Sequence, residues 1–180
     1  MLYAGHLHVK AQMATVALQQ VSSPYARSNA DGTLHKAIGL KFVRSYLEPG
    51  LCERLEASCP GGAVFVWGSK SERTHQTYKV LGRDSLFLFR RGANVYKFGV
   101  VLEKTESPDL AQSLWNLDED GEPWSTIYFF GRIRDKLVPA AKINQHLGRS
   151  AKDNWQGLVV LTMKESEKVN EFFQKQLAEP

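Results

Sequence analysis

Two short apolar segments separated by a polar loop are the feature of this sequence that most restricts its fold. Residues 64–67 read Val-Phe-Val-Trp, and residues 85–89 read Ser-Leu-Phe-Leu-Phe. Runs of this length that are rich in β-branched and aromatic residues are typical of buried strands. Residues 82–84, Gly-Arg-Asp, mark a turn directly before the second run. The stretch from residue 63 to residue 99 therefore predicts a β-rich core around which the rest of the chain is arranged.

The end of the first segment is a candidate binding site. Trp67 ends the strand and is followed at once by Gly68 and Ser69. Small residues at this point let a ligand approach the backbone N–H and C=O groups. A flat ring, accessible backbone and nearby cations are what a protein needs to hold a planar base taken out of a nucleic acid. The alternative is that Trp67 is a core residue at a strand end, and the local sequence leaves both interpretations open.

The overall composition is that of one globular domain. The chain has 180 residues, enough to bury a core, and its net charge of +4 suits a polyanionic partner without requiring one. Cys52 and Cys59 lack the spacing of a metal site and are expected to be free thiols. No third ligand lies near His6 and His8, so no metal site and no cofactor are predicted.

Targeting signals are not recognisable in the sequence. No apolar run approaches the roughly 18 residues of a membrane span, and the beginning of the chain lacks the pattern of a signal peptide. We therefore expect a cytoplasmic protein with no membrane partner.

The rest of the sequence divides into three predicted parts. Residues 1–60 are expected to form a mostly helical leader, residues 61–163 a β-rich domain, and residues 164–180 a C-terminal helix that packs on that domain. Within the leader, helices are predicted over residues 9–21, 33–46 and 51–58, with a turn-rich stretch at residues 27–32. Further strands are predicted over residues 95–103, 124–133 and 155–163, and short helices over residues 107–115 and 140–147. This order predicts an α+β fold, a small and partly closed β-barrel flanked by helices.

The order of these motifs resembles a known superfamily. The motifs are V-F-V-W-G-S, L-G-R-D-S-L-F-L-F, V-Y-K-F-G-V-V, S-L-W-N and G-E-P-W-S-T-I-Y-F-F, followed by a V-P helix that ends in L-G. From about residue 63 to residue 161 the chain resembles the PUA-like superfamily and, within it, the EVE and YTH branch. It is most similar to the EVE-like domains at the N-termini of McrBC-type modification-dependent restriction systems. The resemblance implies a β-barrel whose pocket holds a flipped-out, often methylated base between aromatic rings.

The resemblance also implies roles for particular residues. Trp67 and Trp115 match the positions of the two cage aromatics, and the backbone of Gly68 and Ser69 matches the atoms that read the base edge. Tyr78 and Phe89 are further candidates for the pocket. A core position remains the alternative for each of these rings. The paired Asn residues of the YTH branch have no counterpart in residues 59–63, Cys-Pro-Gly-Gly-Ala, so the identity of the base stays open.

Cations cluster in four places and are candidates for contacts with the nucleic-acid backbone. They follow the first strand, the hairpin, the aromatic strand and the last short helix, and they are Lys70, Arg73, His75, Lys79, Arg90, Arg91, Arg132, Arg134, Lys136, Arg149 and Lys152. A solvated face of scattered charges is the alternative for any one of them.

No catalytic arrangement is recognisable, which favours a binding module over an enzyme. The predicted function is a DNA-binding specificity domain that recognises a methylated base in a restriction or defence system. Nuclease or NTPase activity is then expected in partner subunits or in another domain. DNA is favoured over RNA. The alternatives are an RNA-binding PUA-like module in RNA processing or modification, and a regulatory domain whose residues 33–58 dock a partner protein.

Overall fold

The computed structural model describes residues 14–70, 77–115 and 121–178. The strands are β1 (Val16–Gln20), β2 (Ile38–Gly39), β3 (Ala63–Ser69), β4 (Leu86–Arg91), β5 (Asn94–Glu106), β6 (Thr126–Pro139) and β7 (Leu158–Val160). The principal helices are α1 (Pro24–Thr33), α2 (Leu40–Val43), α3 (Pro49–Ser58), α4 (Pro108–Leu114), α5 (Ala140–His146) and α6 (Met163–Ala178). A 3₁₀ turn, Arg44–Tyr46, follows α2. Among the helices of these ranges, none is both long enough and apolar enough to cross a membrane.

All seven strands belong to one sheet with the order β2-β3-β6-β5-β4-β1-β7. β4, β5 and β6 form a long antiparallel ladder, while β1 pairs in parallel with β4 and antiparallel with β7. The sheet curls, because buried side chains of β3 and β6 pack in one cluster with Leu158 and Val160 of β7. Its two edge strands, β2 and β7, are not paired with each other. The α+β class is confirmed, and the sheet is open rather than closed into a barrel.

The hairpin between β4 and β5 shows how local sequence sets the register. Arg91 pairs with Asn94, and Gly92 between them has a positive φ of 61°. Glycine adopts this backbone conformation without the steric cost that a side chain would bring. The predicted turn at residues 91–94 is therefore confirmed, as is the helix that Ser107 caps by accepting a hydrogen bond from the N–H of Leu110.

The predicted helical leader is wrong in three places. Within the helix predicted over residues 33–46, Ile38–Gly39 is strand β2, which pairs with β3, and helix α2 begins only at Leu40. Val16–Gln20, within the predicted helix over residues 9–21, is strand β1, and residues 9–13 lie outside the described ranges. Because β1 lies inside the sheet and is buried on both faces, its sequence carries no alternation that would distinguish a strand from a helix. The turn-rich stretch over residues 27–32 is part of helix α1, which Ser23 caps and Pro24 begins. The division of the chain at residues 60 and 163 stays a prediction.

Aromatic side chains fill the concave face of the sheet, and helices cover much of the convex face. On the concave face α1 covers a cluster built from Trp67, Leu81, Phe87, Phe89, Val101, Tyr128 and Phe130. On the convex face, α5 and α6 pack on one cluster, and α2, α3 and α4 pack on another. The buried faces of the helices, rather than closure of the sheet, therefore complete the core.

Helix α6 begins with a capping box. The backbone N–H and the hydroxyl of Thr162 donate to Glu165 Oε2 at 2.9 and 2.8 Å, and the Glu165 N–H donates to Thr162 Oγ1 at 3.3 Å. Arg149 Nη2 donates to the other carboxylate oxygen at 2.9 Å. Burial raises the pKa of Glu165, but these hydrogen bonds and the charge of Arg149 outweigh it and hold that pKa below its usual value.

This capping box predicts a loss of stability in acid. The pKa of Glu165 is lower in the folded than in the unfolded chain, so its contribution is present above the unfolded value, near pH 4.3, and is lost as the pH falls through the folded value. We expect the free energy of unfolding to fall more steeply below about pH 4 in the unmodified chain than in Glu165→Gln. Urea unfolding between pH 3 and pH 7 measures the difference, and parallel curves for the two proteins would contradict the prediction.

Candidate functional site

A cleft lies where the end of β3 meets the β1–β7 edge of the curled sheet. Its volume is about 320 Å³, and it is lined by Gln19, Gly68, Ser69, Lys70, Trp124, Gln156, Gly157 and Leu158. A second cavity of about 390 Å³ shares four of these residues, Gln19, Trp124, Gln156 and Gly157, and extends toward the start of α1. We refer to the two together as the seam cleft.

Of the two aromatic residues that line the seam cleft, Trp155 is 2% exposed and lines the second cavity only, and Trp124 is the more accessible one. It lines both cavities and is only partly buried. Its ring lies 5.3 Å from that of Trp67 at an interplanar angle of 71°, and 5.1 Å from that of Tyr25 at 77°. Two edge-to-face contacts of this kind hold a ring in a fixed orientation. Trp124 was not among the predicted pocket residues; its position after Pro123, just before a strand, was the available signal for a residue at the rim.

The predicted opening of Trp67 onto the cavity is wrong. Its indole is fully buried on the concave face, and its ring lies 5.6 Å from that of Phe89, which is also fully buried. Helix α1 covers this face of β3 with Ala26, Ala30 and Leu34. The buried Trp67 ring therefore packs against the Trp124 ring, and Trp67 does not line the cleft.

Trp67 and Trp115 do not form a two-ring cage. Successive residues of a strand point to opposite faces, and Trp115 packs on the face opposite to Trp67, against Gly68. A Cβ at position 68 would lie 2.5 Å from the Trp115 ring, so this contact requires glycine. The Trp115 Nε1–H donates to Thr33 Oγ1 at 3.3 Å, which ties the ring to the end of α1.

The wall formed by β3 and β1 offers polar groups as well as backbone. Gly68 and Ser69 line the cleft, and the Ser69 hydroxyl is buried beside the Tyr128 phenol. Burial raises the pKa of Tyr128 above its usual range, and the neighbouring Ser69 hydroxyl only partly offsets this effect. The phenol therefore stays neutral at ordinary pH. Gln19, which is 5% exposed, lines both cavities and donates from Nε2 to the carbonyl of Gln20 at 2.8 Å.

The opposite wall is the loop over residues 150–157, and Arg90 anchors it. The guanidinium donates to the carbonyls of Gly92 at 2.9 Å and Asp153 at 2.8 Å, and to Asn154 Oδ1 at 3.3 Å. It also lies 5.4 Å from the ring centroid of Trp155. Arg90 is 8% exposed. Each of its three guanidinium nitrogens already donates within the protein, so the structure gives Arg90 a structural role, and its predicted contact with phosphate stays a prediction.

The other predicted cations are widely separated. Lys70 lines the cleft, and Lys152 is exposed on the loop that forms the opposite wall. Arg149 is paired with Glu165 at 2.9 Å and with Asp153 at 3.7 Å. The cations outside the cleft walls are Lys79, exposed after the undescribed segment; Arg91, exposed at the hairpin; Arg132 and Arg134, exposed on β6; and Lys136, half-buried there. Arg73 and His75 lie outside the described residues, as do His6 and His8.

Two further residues complete the description of the site. Tyr78 does not line the cleft; the ammonium of Lys104 lies 4.1 Å from its ring centroid, and burial with the nearby Glu106 charge raises the pKa of its phenol. Arg27, which the sequence reasoning missed, is exposed and donates to the carbonyl of Ser22 at 2.9 Å, at the rim of the second cavity. In the described ranges, no three acidic, histidine or cysteine side chains converge as metal ligands.

A comparison with solved structures finds a protein domain with a similar fold. The chain is similar to the N-terminal domain of Thermococcus gammatolerans McrB, which was solved bound to m5C DNA, with a TM-score of 0.66 and 15% sequence identity. The match covers 89% of this chain and 98% of that domain. No family model matches the chain, and no curated protein matches it. The resemblance to McrB-type domains that the motif order indicated is therefore confirmed at the level of the fold.

Proposed function

We propose that this chain is a DNA-binding specificity domain that recognises a methylated base by flipping it out of the duplex into the seam cleft. The observation that carries the proposal is the position of Trp124. Its partly buried ring lies in a cleft whose walls are the backbone of Gly68 and Ser69 and the loop at Gly157. The fold around it is similar to that of a domain solved bound to m5C DNA, which supports DNA as the ligand.

The size of the cleft suits one base. Binding clefts for small molecules have volumes of about 300–1,000 Å³, and the cavity beside Trp124 has about 320 Å³. A base that enters would lie against Trp124 and meet Ser69 and Gln19 at its edge. Gln19 Nε2 uses one N–H on the carbonyl of Gln20, which leaves its second N–H to donate to a base and its Oε1 to accept from one.

The energetics require both the ring and the polar wall. Flipping a base costs a few kcal/mol, and stacking on one aromatic ring returns about 1–3 kcal/mol. One ring therefore does not fully offset the cost, and hydrogen bonds from Ser69 and Gln19 supply the difference. Burial of a methyl group adds only about 0.8 kcal/mol, so discrimination against the unmethylated base also depends on how the polar wall positions the ring.

Cations at the rim would hold the duplex while the cleft reads the base. Lys70 lies in the cleft wall, Lys152 on the loop opposite, and Arg27 beside the second cavity. Phosphate contacts of this kind position the duplex without reading its sequence. Affinity should then fall steeply as salt concentration rises.

In this proposal the chain binds and does not cut. Its walls contain serine hydroxyls, side-chain amides, Lys70 and backbone groups, but no histidine or carboxylate that could serve as a base for a nucleophile among the described residues. Nuclease or NTPase activity belongs to partner subunits or to another domain, in a modification-dependent restriction system.

The test uses matched duplexes that differ only in one methyl group. We expect at least tenfold tighter binding to a duplex with 5-methylcytosine or N6-methyladenine than to the same unmodified duplex, and a rise in 2-aminopurine fluorescence when that probe lies next to the methylated base. Fluorescence anisotropy at two salt concentrations measures the affinity. Equal affinity for methylated and plain duplexes would contradict base recognition, and tighter binding to the matching RNA would favour an RNA-binding module instead.

A further inference from the structure

A second surface, separate from the seam cleft, lies on the convex face of the sheet between α3 and α6. It is a groove of about 550 Å³ that crosses β4, β5 and β6. Its lining residues are Ser58, Leu86, Phe98, Gly99, Val100, Leu102, Gly131, Arg132, Arg134, Phe173 and Gln174. We call it the β5–β6 groove.

The floor of the β5–β6 groove is apolar and in part open to solvent. Val100 is 44% exposed, and Phe98 and Leu86 lie beside it with 6% and 7% exposure. Gly131 leaves the space beside Leu102 open, because a Cβ at position 131 would lie only 3.0 Å from Leu102 Cδ1. The helices that cover the convex face on either side leave this strip uncovered. The floor of the groove is therefore apolar, and Val100 is its solvent-exposed point.

A β-bulge places two arginines along this floor. Val100 of β5 stands opposite two residues of β6, Gly131 and Arg132, because the register shifts by one residue at this point. Bulges of this kind redirect side chains. The residues of β6 on either side of the bulge pack in the cluster on the concave face. Arg132 and Arg134 line the groove on the convex face.

Among the described residues, the charged side chains that line the β5–β6 groove are all positive. Arg132 and Arg134 are exposed, and no acidic side chain is among the described residues that line the groove with them. Beside Leu102, at one end of the groove, Arg54 and Arg83 share the single carboxylate of Glu103. The surroundings therefore carry an excess of positive charge next to an apolar floor.

We propose that the β5–β6 groove binds an extended, acidic segment of a partner protein that inserts an aliphatic side chain over Val100. Arg132 and Arg134 are two residues apart on a strand, which is about 7 Å, and alternate side chains of an extended peptide have the same spacing. Carboxylates at alternate positions can therefore meet both guanidinium groups, and such charge-assisted contacts are the strong ones. A nucleic-acid backbone matches the charge but offers no apolar group to cover Val100 and Phe98.

This surface is independent of the proposed base-binding site. Thr126 pairs with Ser69 at the seam cleft, and Arg132 lies six residues further along β6, which is about 20 Å. It also lines the convex face, whereas Trp67 packs on the concave side. A partner segment in the groove would leave the seam cleft free to bind DNA.

The experiment selects peptides from a random displayed library on the intact chain, with the double variant Arg132→Glu/Arg134→Glu for counter-selection. We expect enriched peptides that place Asp or Glu on alternate positions beside Leu, Ile or Val. Their affinity should fall at least tenfold for the double variant and stay within twofold for Arg91→Glu, a charge reversal at an exposed arginine outside the groove. NMR shift changes on peptide binding should centre on Val100 and Leu102.

Other outcomes would overturn the proposal. The first is a selection that yields no peptide whose binding depends on the two arginines. Another is an equal loss of affinity for a methylated duplex in the double variant, which would assign the arginines to DNA. A third is a dimer in sedimentation that the double variant dissociates, which would assign the groove to a second copy of the chain. Thermal unfolding of both variants, expected within about 3 °C of the unmodified chain, shows that each is folded.

Discussion

Replacing Trp124 with alanine is expected to weaken binding to the preferred methylated duplex by about 10- to 100-fold. Stacking of a base on an aromatic ring contributes about 1–3 kcal/mol, and each 1.4 kcal/mol changes an equilibrium constant about tenfold. Trp124 is the aromatic side chain shared by both cavities of the seam cleft among the described residues. The other ring that lines the cleft, Trp155, is 2% exposed and packs against the Arg90 guanidinium, so it is not available for stacking. Fluorescence anisotropy with the duplex pair described above measures the effect.

The same substitution also removes packing, so its controls must separate folding from binding. The Trp124 ring contacts those of Trp67 and Tyr25, and its loss should lower stability as well. Trp124→Phe keeps a flat ring and should restore most of the affinity. Phe42→Ala removes an aromatic ring that is 44% exposed on α2, outside the cleft, and should leave binding unchanged. Unchanged affinity in a folded Trp124→Ala protein would show that the base does not stack there.

The strands that were predicted correctly are those whose signals are local. β3, β4 and β5 are bounded by glycine and by turn residues, and the hairpin at Gly92 follows from a backbone conformation that few other residues adopt. The fold class follows from the number and order of such segments. β1 gave no comparable signal, because it lies between β4 and β7 and is apolar on both faces. A strand of that kind is recognised only when its neighbours in the sheet are known.

The sequence pointed to the end of β3, where the cleft lies, but not to the rings that line it, for a related reason. The alternation of β3 shows that Trp67 and Gly68 face opposite sides of the sheet. It does not show that α1 covers the side of Trp67 and that the Trp115 ring covers the side of Gly68. Those contacts join segments far apart in the chain, and they decide which indole is buried. Trp124 stays at the rim because the loop at Gly157, some thirty residues later, leaves space beside it.

The sequence also did not distinguish arginines that are free to bind a ligand from arginines that hold the structure together. Arg90 and Arg91 are adjacent and were predicted to act alike, yet one is buried and the other exposed. The side chain of Arg90 points toward the loop over residues 150–157, which the sequence does not place there. Its hydrogen bonds connect β4 to residues more than sixty positions later, and no local pattern predicts such a contact.

Replacing Arg90 with methionine is therefore expected to destabilise the protein by about 3 kcal/mol. The guanidinium donates three hydrogen bonds, and each bond to a charged group contributes about 1.5–3 kcal/mol, although the contributions are not additive. The Asp153 carbonyl would keep only the bond from Asn144 at 2.9 Å, while Asn154 Oδ1 would lose its donor. For a chain of this size the loss lowers the midpoint of thermal unfolding by about 6–12 °C.

Arg90 also positions the wall of the seam cleft, and a second measurement isolates this role. Arg90→Lys keeps the charge but loses the planar fork that meets three acceptors at once, so it should recover only part of the stability. Arg91→Ala, at the exposed neighbour, should change the free energy of unfolding by less than about 0.5 kcal/mol. At a temperature where Arg90→Met is folded, its affinity for a methylated duplex should still fall several-fold, because Asn154 and Gly157 line the cleft. A stable, fully binding Arg90→Met protein would show that the loop is held without this residue.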